Sequence, residues 1–165
     1  MRYPPSLMSV ELESMVKMLS DSPEDQRKSM IAERFNMIAS QPDEQRVGVV
    51  KGLVLAISKL DNRKRKELVR TRTDAVAELP PDIRRIIQTS RVKAGATLPQ
   101  DVNMKDMALT LEAASLWPPE KRAMFKENLS AAFAEVGQPM PDFDSIGQTI
   151  QTGVGEEKKS RWKFW

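Results

Sequence analysis

Three arginines stand where apolar side chains belong. Arg34 falls among Met30, Met37 and Ile38, Arg72 among Leu68, Ala75, Val76 and Leu79, and Arg91 among Ile87, Ala94 and Leu98. A guanidinium stays charged and offers a planar fork of donors, so its natural chemistry is recognition of a carboxylate or phosphate. Set into an apolar stripe it must be paired or reach water, because an unpaired buried charge is costly. Two expectations follow. Each arginine bridges carbonyls or the acid of a neighbouring repeat, or the three form a row along a groove that binds an anion or a protein partner.

A second cationic group lies in "NRKRKELVRTRT", where Arg63, Lys66 and Arg70 share one helical face and Lys59 sits just before it. Phosphates would be drawn to such a face, which makes nucleic-acid binding the alternative function. Against it, the net charge is only +3 and no aromatic residue interleaves with the cations to stack bases. A solvated face or a dock for an acidic protein surface fits better. The third group closes the chain: Lys158, Lys159, Arg161 and Lys163 alternate with Trp162, Phe164 and Trp165. Such a peptide can fold back as a cap, meet an anionic membrane surface, or plug a partner's pocket with its tryptophans.

Catalysis has little to draw on. The chain contains neither histidine nor cysteine, so the usual triads, dyads and zinc sites cannot be built. No enzyme activity, cofactor or metal is expected. The absence of cysteine suits a reducing cytoplasm, with peripheral contact at the inner membrane face through the tail. The composition, 40% hydrophobic and 30% charged, is that of a globular domain with a polar surface.

The elements that must position these groups are set by prolines. Pro4, Pro23, Pro42, Pro80, Pro99 and Pro118 share one 19-residue register, with Asp61 in the vacant place. Four residues after the later marks come Arg27, Arg46, Arg65, Arg84, Asn103 and Arg122. A shared period over so many marks defines a repeat. Each mark predicts a helix start: proline suits the first turn, Ser22 can cap, and Glu24, Asp25, Asp43, Glu44, Asp82, Asp101 and Glu120 set negative charge at the positive end of the dipole. Gly95 suits a C-terminal stop.

Between marks the apolar spacing is helical, as in Met8, Leu12, Met15, Val16 and Leu19, or Phe125, Leu129, Ala132, Phe133 and Val136. Turns of three or four residues imply antiparallel neighbours. The fold expected is all-α: seven short antiparallel helices as a right-handed solenoid of helical hairpins or a closed bundle. The repeat domain covers residues 1–136, and a Pro/Gly-containing linker with the tail covers 137–165. The third helix is apolar nearly all round, which predicts an enclosed central place; Gly48 and Gly52 on one of its faces predict close approach of a neighbour. A repeat surface without a catalytic set, carrying an adhesive tail, points to a non-catalytic interaction module. Its body would bind a protein and its tail a second partner or a membrane.

Overall fold

The computed structural model describes residues 5–142. Seven α-helices follow the register: α1 (Pro5–Asp21), α2 (Glu24–Ala39), α3 (Asp43–Ser58), α4 (Asn62–Ala77), α5 (Pro81–Gly95), α6 (Gln100–Ala114) and α7 (Pro119–Val136), with no strand among the described residues. None of these helices is long and apolar enough to cross a membrane.

The joints share one construction. Pro23, Pro42, Pro80, Pro99 and Pro118 are N-caps in extended conformation, one residue ahead of the first turn in which the sequence placed them. A prolyl N-cap has no N–H to leave unpaired and keeps the preceding residue out of the helix. Its carbonyl accepts the first helical bond, from the N–H of Arg27, Arg46, Arg84, Asn103 or Arg122 at 2.8–3.1 Å. Where proline is missing, Asp61 caps with its side chain and accepts from the Lys64 N–H at 2.9 Å. Ser22 does not cap α2; its hydroxyl donates backward to the Met18 carbonyl and finishes α1. The first-turn acids sit as expected.

The register arginines close these joints from the far side. Arg46 Nη1 donates to the Gln41 carbonyl in the turn after α2 (2.9 Å) and Arg84 Nη1 to that of Ala77, the last residue of α4 (3.1 Å), so each guanidinium satisfies a carbonyl at or just beyond the end of the preceding helix. Leu79, Leu98 and Trp117, each just before a mark, are buried beneath. The Trp117 indole donates to Asp74 Oδ1 (2.7 Å), meets Phe125 edge-on and carries Lys121 over its face.

Each helix packs most extensively on the next but one. This makes two rows, α1–α3–α5–α7 and α2–α4–α6, which face each other through contacts between helices three apart, such as α2 with α5 and α3 with α6. Consecutive helices touch only thinly. Most ion pairs between exposed groups follow the rows: Lys28–Glu78, Lys66–Glu112, Lys93–Asp43, Arg85–Glu135 and Lys59–Glu13 each join a helix to the next but one or to its cap, while Lys64–Asp21 crosses from α4 to α1. Exposed pairs of this kind contribute little individually. The core lies between the rows. The enclosed place expected of α3 is not distinctive: it buries Val50, Val54, Ala56 and Ile57, whereas α4 and α6, both less apolar, bury more of their residues.

One register position explains how the rows close. Ala56, Ala75, Ala94, Ala113 and Ala132 are spaced 19 apart and all are buried. Their surroundings identify what covers them. A Cβ on Gly52, one turn before Ala56, would meet Leu12 Cδ1 of α1 at 2.5 Å. Ser90, one turn before Ala94, accepts from Arg46 Nε of α3 (2.8 Å). Arg85 of α5 donates to the carbonyl of Ala131, beside Ala132. Small side chains therefore line the face turned to the helix two places back. Gly52 shows the close approach expected of it, but Gly48 does not: nothing lies within 4 Å of a Cβ built there. Gly95 is the last residue of α5, and its Cβ would stand 3.0 Å from both Arg91 Nη1 and Asn103 Oδ1, so space rather than chain reversal calls for glycine. The left-handed stop falls instead at Gly137 (φ 77°), which ends α7.

Three substitutions test this packing. Gly48→Ala should raise the unfolding free energy by up to about 1 kcal/mol, whereas Gly52→Ala should gain less or lose, since Leu12 must move. Ala94→Leu should cost about 1–3 kcal/mol by overpacking. Urea titration of the three variants measures all of these.

Candidate functional site

The three arginines border one shared space among the helices, but only two of them find the same acid. Arg72 on α4 and Arg91 on α5 converge on Asp106 of α6, a carboxylate that sequence reasoning did not single out. Arg72 Nη1 and Nη2 reach Asp106 Oδ1 and Oδ2 at 2.9 and 3.2 Å, and Nη2 also donates to Thr110 Oγ1 at 2.8 Å. Arg91 Nε and Nη2 donate to Oδ2 at 3.2 and 3.0 Å. Asp106 is 1% exposed, and Arg72 and Arg91 are half-buried. Arg34 reaches water instead. It is exposed, because the stripe that α2 buries runs through Ile31, Phe35 and Ile38 and leaves Arg34 at its edge.

The cluster joins both rows, since α4 and α6 belong to one and α5 to the other. Burial pushes the Asp106 carboxyl up, but the guanidiniums of Arg72 and Arg91 outweigh it and hold the group below the ordinary carboxylate range. Burial draws Arg91 down from its ordinary value, and Asp106 resists it. Arg65, partly buried nearby, is lowered for the same reason, and its Nε has no hydrogen-bond partner.

The cluster borders a cavity of about 130 Å³ along the interface between the rows. All seven helices contribute to its wall, which is overwhelmingly apolar, with Leu53, Val54, Phe35, Met107, Leu129 and Phe133 among its members. Arg34, Arg72, Arg91, Asp106 and Gln88 supply its polar groups, beside Thr73 and Thr110.

The basic face is largely committed to pairing. Lys66 is bound to Glu112 at 2.9 Å, Arg63 reaches Glu67 of its own helix at 3.4 Å, and Lys59 pairs with Glu13. Arg70 is exposed. The tail residues Lys158, Lys159, Arg161, Trp162, Lys163, Phe164 and Trp165 lie outside the described residues.

Asp106 and Gln88 carried a signal in the register. In the inner helices the place of Asp106 is held by Met30, Val49, Leu68 and Ile87, with Phe125 in α7 and Glu11 in α1; that of Gln88 is held by Leu12, Ile31, Val50, Val69 and Met107, with Lys126 in α7. A polar residue in a core place of a repeat needs a partner or a purpose. Comparison with family models, with curated proteins and with solved structures found no match.

Asp106→Asn would leave two guanidiniums facing a neutral amide and should cost about 3–5 kcal/mol at pH 7. Replacing Arg72, Arg91 and Asp106 together by methionine, methionine and leucine should recover most of that loss. The pH dependence has a definite sign. A carboxyl depressed in the folded state stabilises fully above its unfolded value near about 3.9, and that contribution fades as pH falls through the lower folded value. Urea titrations below about pH 4 should therefore show a shallower acid slope in Asp106→Asn than in the parent chain.

Proposed function

We propose that the chain is a non-catalytic protein–protein interaction module, a scaffold, adaptor or accessory subunit of a larger complex. The observation that carries this is a break in the register. The place filled by buried alanine in α3 to α7 is filled in α1 and α2 by Met18 and Met37, which are 48% and 55% exposed. In the later helices that face is covered by the helix two places back, and α1 and α2 have no such helix among the described residues. A partner's helices laid across it would continue both rows. Methionine is suited to such contact because its unbranched, polarisable side chain adapts to the surface it meets.

In this reading the helical body engages one protein. The basic-aromatic tail, 158–165, docks a second protein or an anionic membrane surface, which keeps a cytoplasmic location and peripheral membrane contact within the proposal.

The test compares three forms of the chain in capture from its native lysate and in partition onto anionic vesicles: intact, Met18→Glu/Met37→Glu, and truncated after Gly155. Both methionines are exposed, so the double variant should keep its stability within about 0.5 kcal/mol. It should lose the partner held by the body, while truncation should remove the tail's partner or the vesicle binding. Identical partners and partition for all three would overturn the proposal.

A further inference from the structure

Of the buried polar side chains that line the cavity, Gln88 is the one whose polar atoms find no partner. It is 6% exposed, and neither its Nε2 nor its Oε1 has a hydrogen-bond partner. An amide so placed is costly unless something in the cavity completes it. It sits on α5 one turn before Arg91, and both border the same space. The hydroxyls of Thr73 and Thr110 donate elsewhere, to the carbonyls of Val69 and Asp106.

Charge narrows what could complete it. Arg72 and Arg91 bring two positive charges against the single carboxylate of Asp106, so the polar end of the cavity carries a surplus cation beside an unfilled amide donor. The remaining wall is hydrocarbon. A space of about 130 Å³ is close to the engineered apolar cavity of about 150 Å³ that admits benzene. Arg34, exposed yet bordering the same space, puts a further positive charge at its edge, where it would draw anions in.

We propose that this cavity binds a small monocarboxylate with an apolar body, of about the size of hexanoate or benzoate. The carboxylate accepts from Gln88 Nε2 and from guanidinium N–H groups of Arg72 or Arg91 that Asp106 leaves unused. The apolar body lies against Leu53, Val54, Met107 and Leu129. This goes beyond the interaction role and does not depend on it.

The experiment titrates sodium hexanoate and hexan-1-ol separately into the full chain, followed by calorimetry and by the methionine methyl resonances. Hexanoate should saturate at one site, bind more tightly than the alcohol, and shift the methyls of Met15 and Met107, which border the cavity, but not those of Met18 and Met37. Gln88→Leu should weaken hexanoate about 10-fold, the scale of one hydrogen bond to a charged group, and leave hexanol unchanged. Non-saturating hexanoate, shifts confined to Met18 and Met37, or a Gln88→Leu variant that binds hexanoate unchanged would each overturn the proposal. Should Gln88→Leu fail to fold, the parent chain decides. Alcohol bound as tightly as acid would reduce the cavity to an apolar void.

Discussion

A helix that must lie on the helix two places back can carry only small side chains where the two touch. That constraint sets Ala56, Ala75, Ala94, Ala113 and Ala132 at one place in the repeat, and Gly52, Thr71 and Ser90 one turn earlier in α3 to α5, although Leu109 and Asn128 hold that earlier place in α6 and α7. The rest of the architecture follows from it. Once helices of one parity stack closely, consecutive helices are left to opposite rows and touch thinly. The joint then needs its own fastening, which the prolyl N-cap and the reach-back of Arg46 and Arg84 provide. The larger apolar residues are displaced to the seam between rows, where side chains from seven helices meet without filling the space completely.

Within that seam the Arg72–Asp106–Arg91 cluster holds the rows to each other at the border of the cavity. Its energetics are those of a buried ion network: removal of one member is severe, whereas the intact network gains little over well-packed hydrocarbon. Polar residues at such a place therefore supply direction more than stability. Asp106 accepts from both rows at once, so the spacing across the cavity is set by hydrogen-bond length and not only by side-chain volume.

Much of this was legible in the sequence. The proline period located seven helices, and the acids after each mark fell in first turns. What the period could not carry was the pairing of helices, because a three-residue turn fixes connection and not which faces meet. Arg34, Arg72 and Arg91 shared a register place, yet their surroundings diverged. Two found Asp106, and one fell at the edge of a buried stripe. Asp106 and Gln88 escaped notice because each is unremarkable within its own helix; only comparison down the register shows a polar residue in a core place. Likewise Met18 and Met37 resemble ordinary stripe residues until the alanines in the later repeats reveal what that place is for.

The two-row packing also restricts how such a chain can change in length. Loss or gain of a single repeat would move every later helix into the opposite row and reverse its direction. Where the change falls between α4 and α6, Arg72 would no longer share a row with Asp106, and the small-residue faces beyond the break would turn toward unsuited neighbours. Only repeats added or removed in pairs leave the parity of the remaining helices intact. The heritable unit of this fold is thus two joints long, although the sequence period is one.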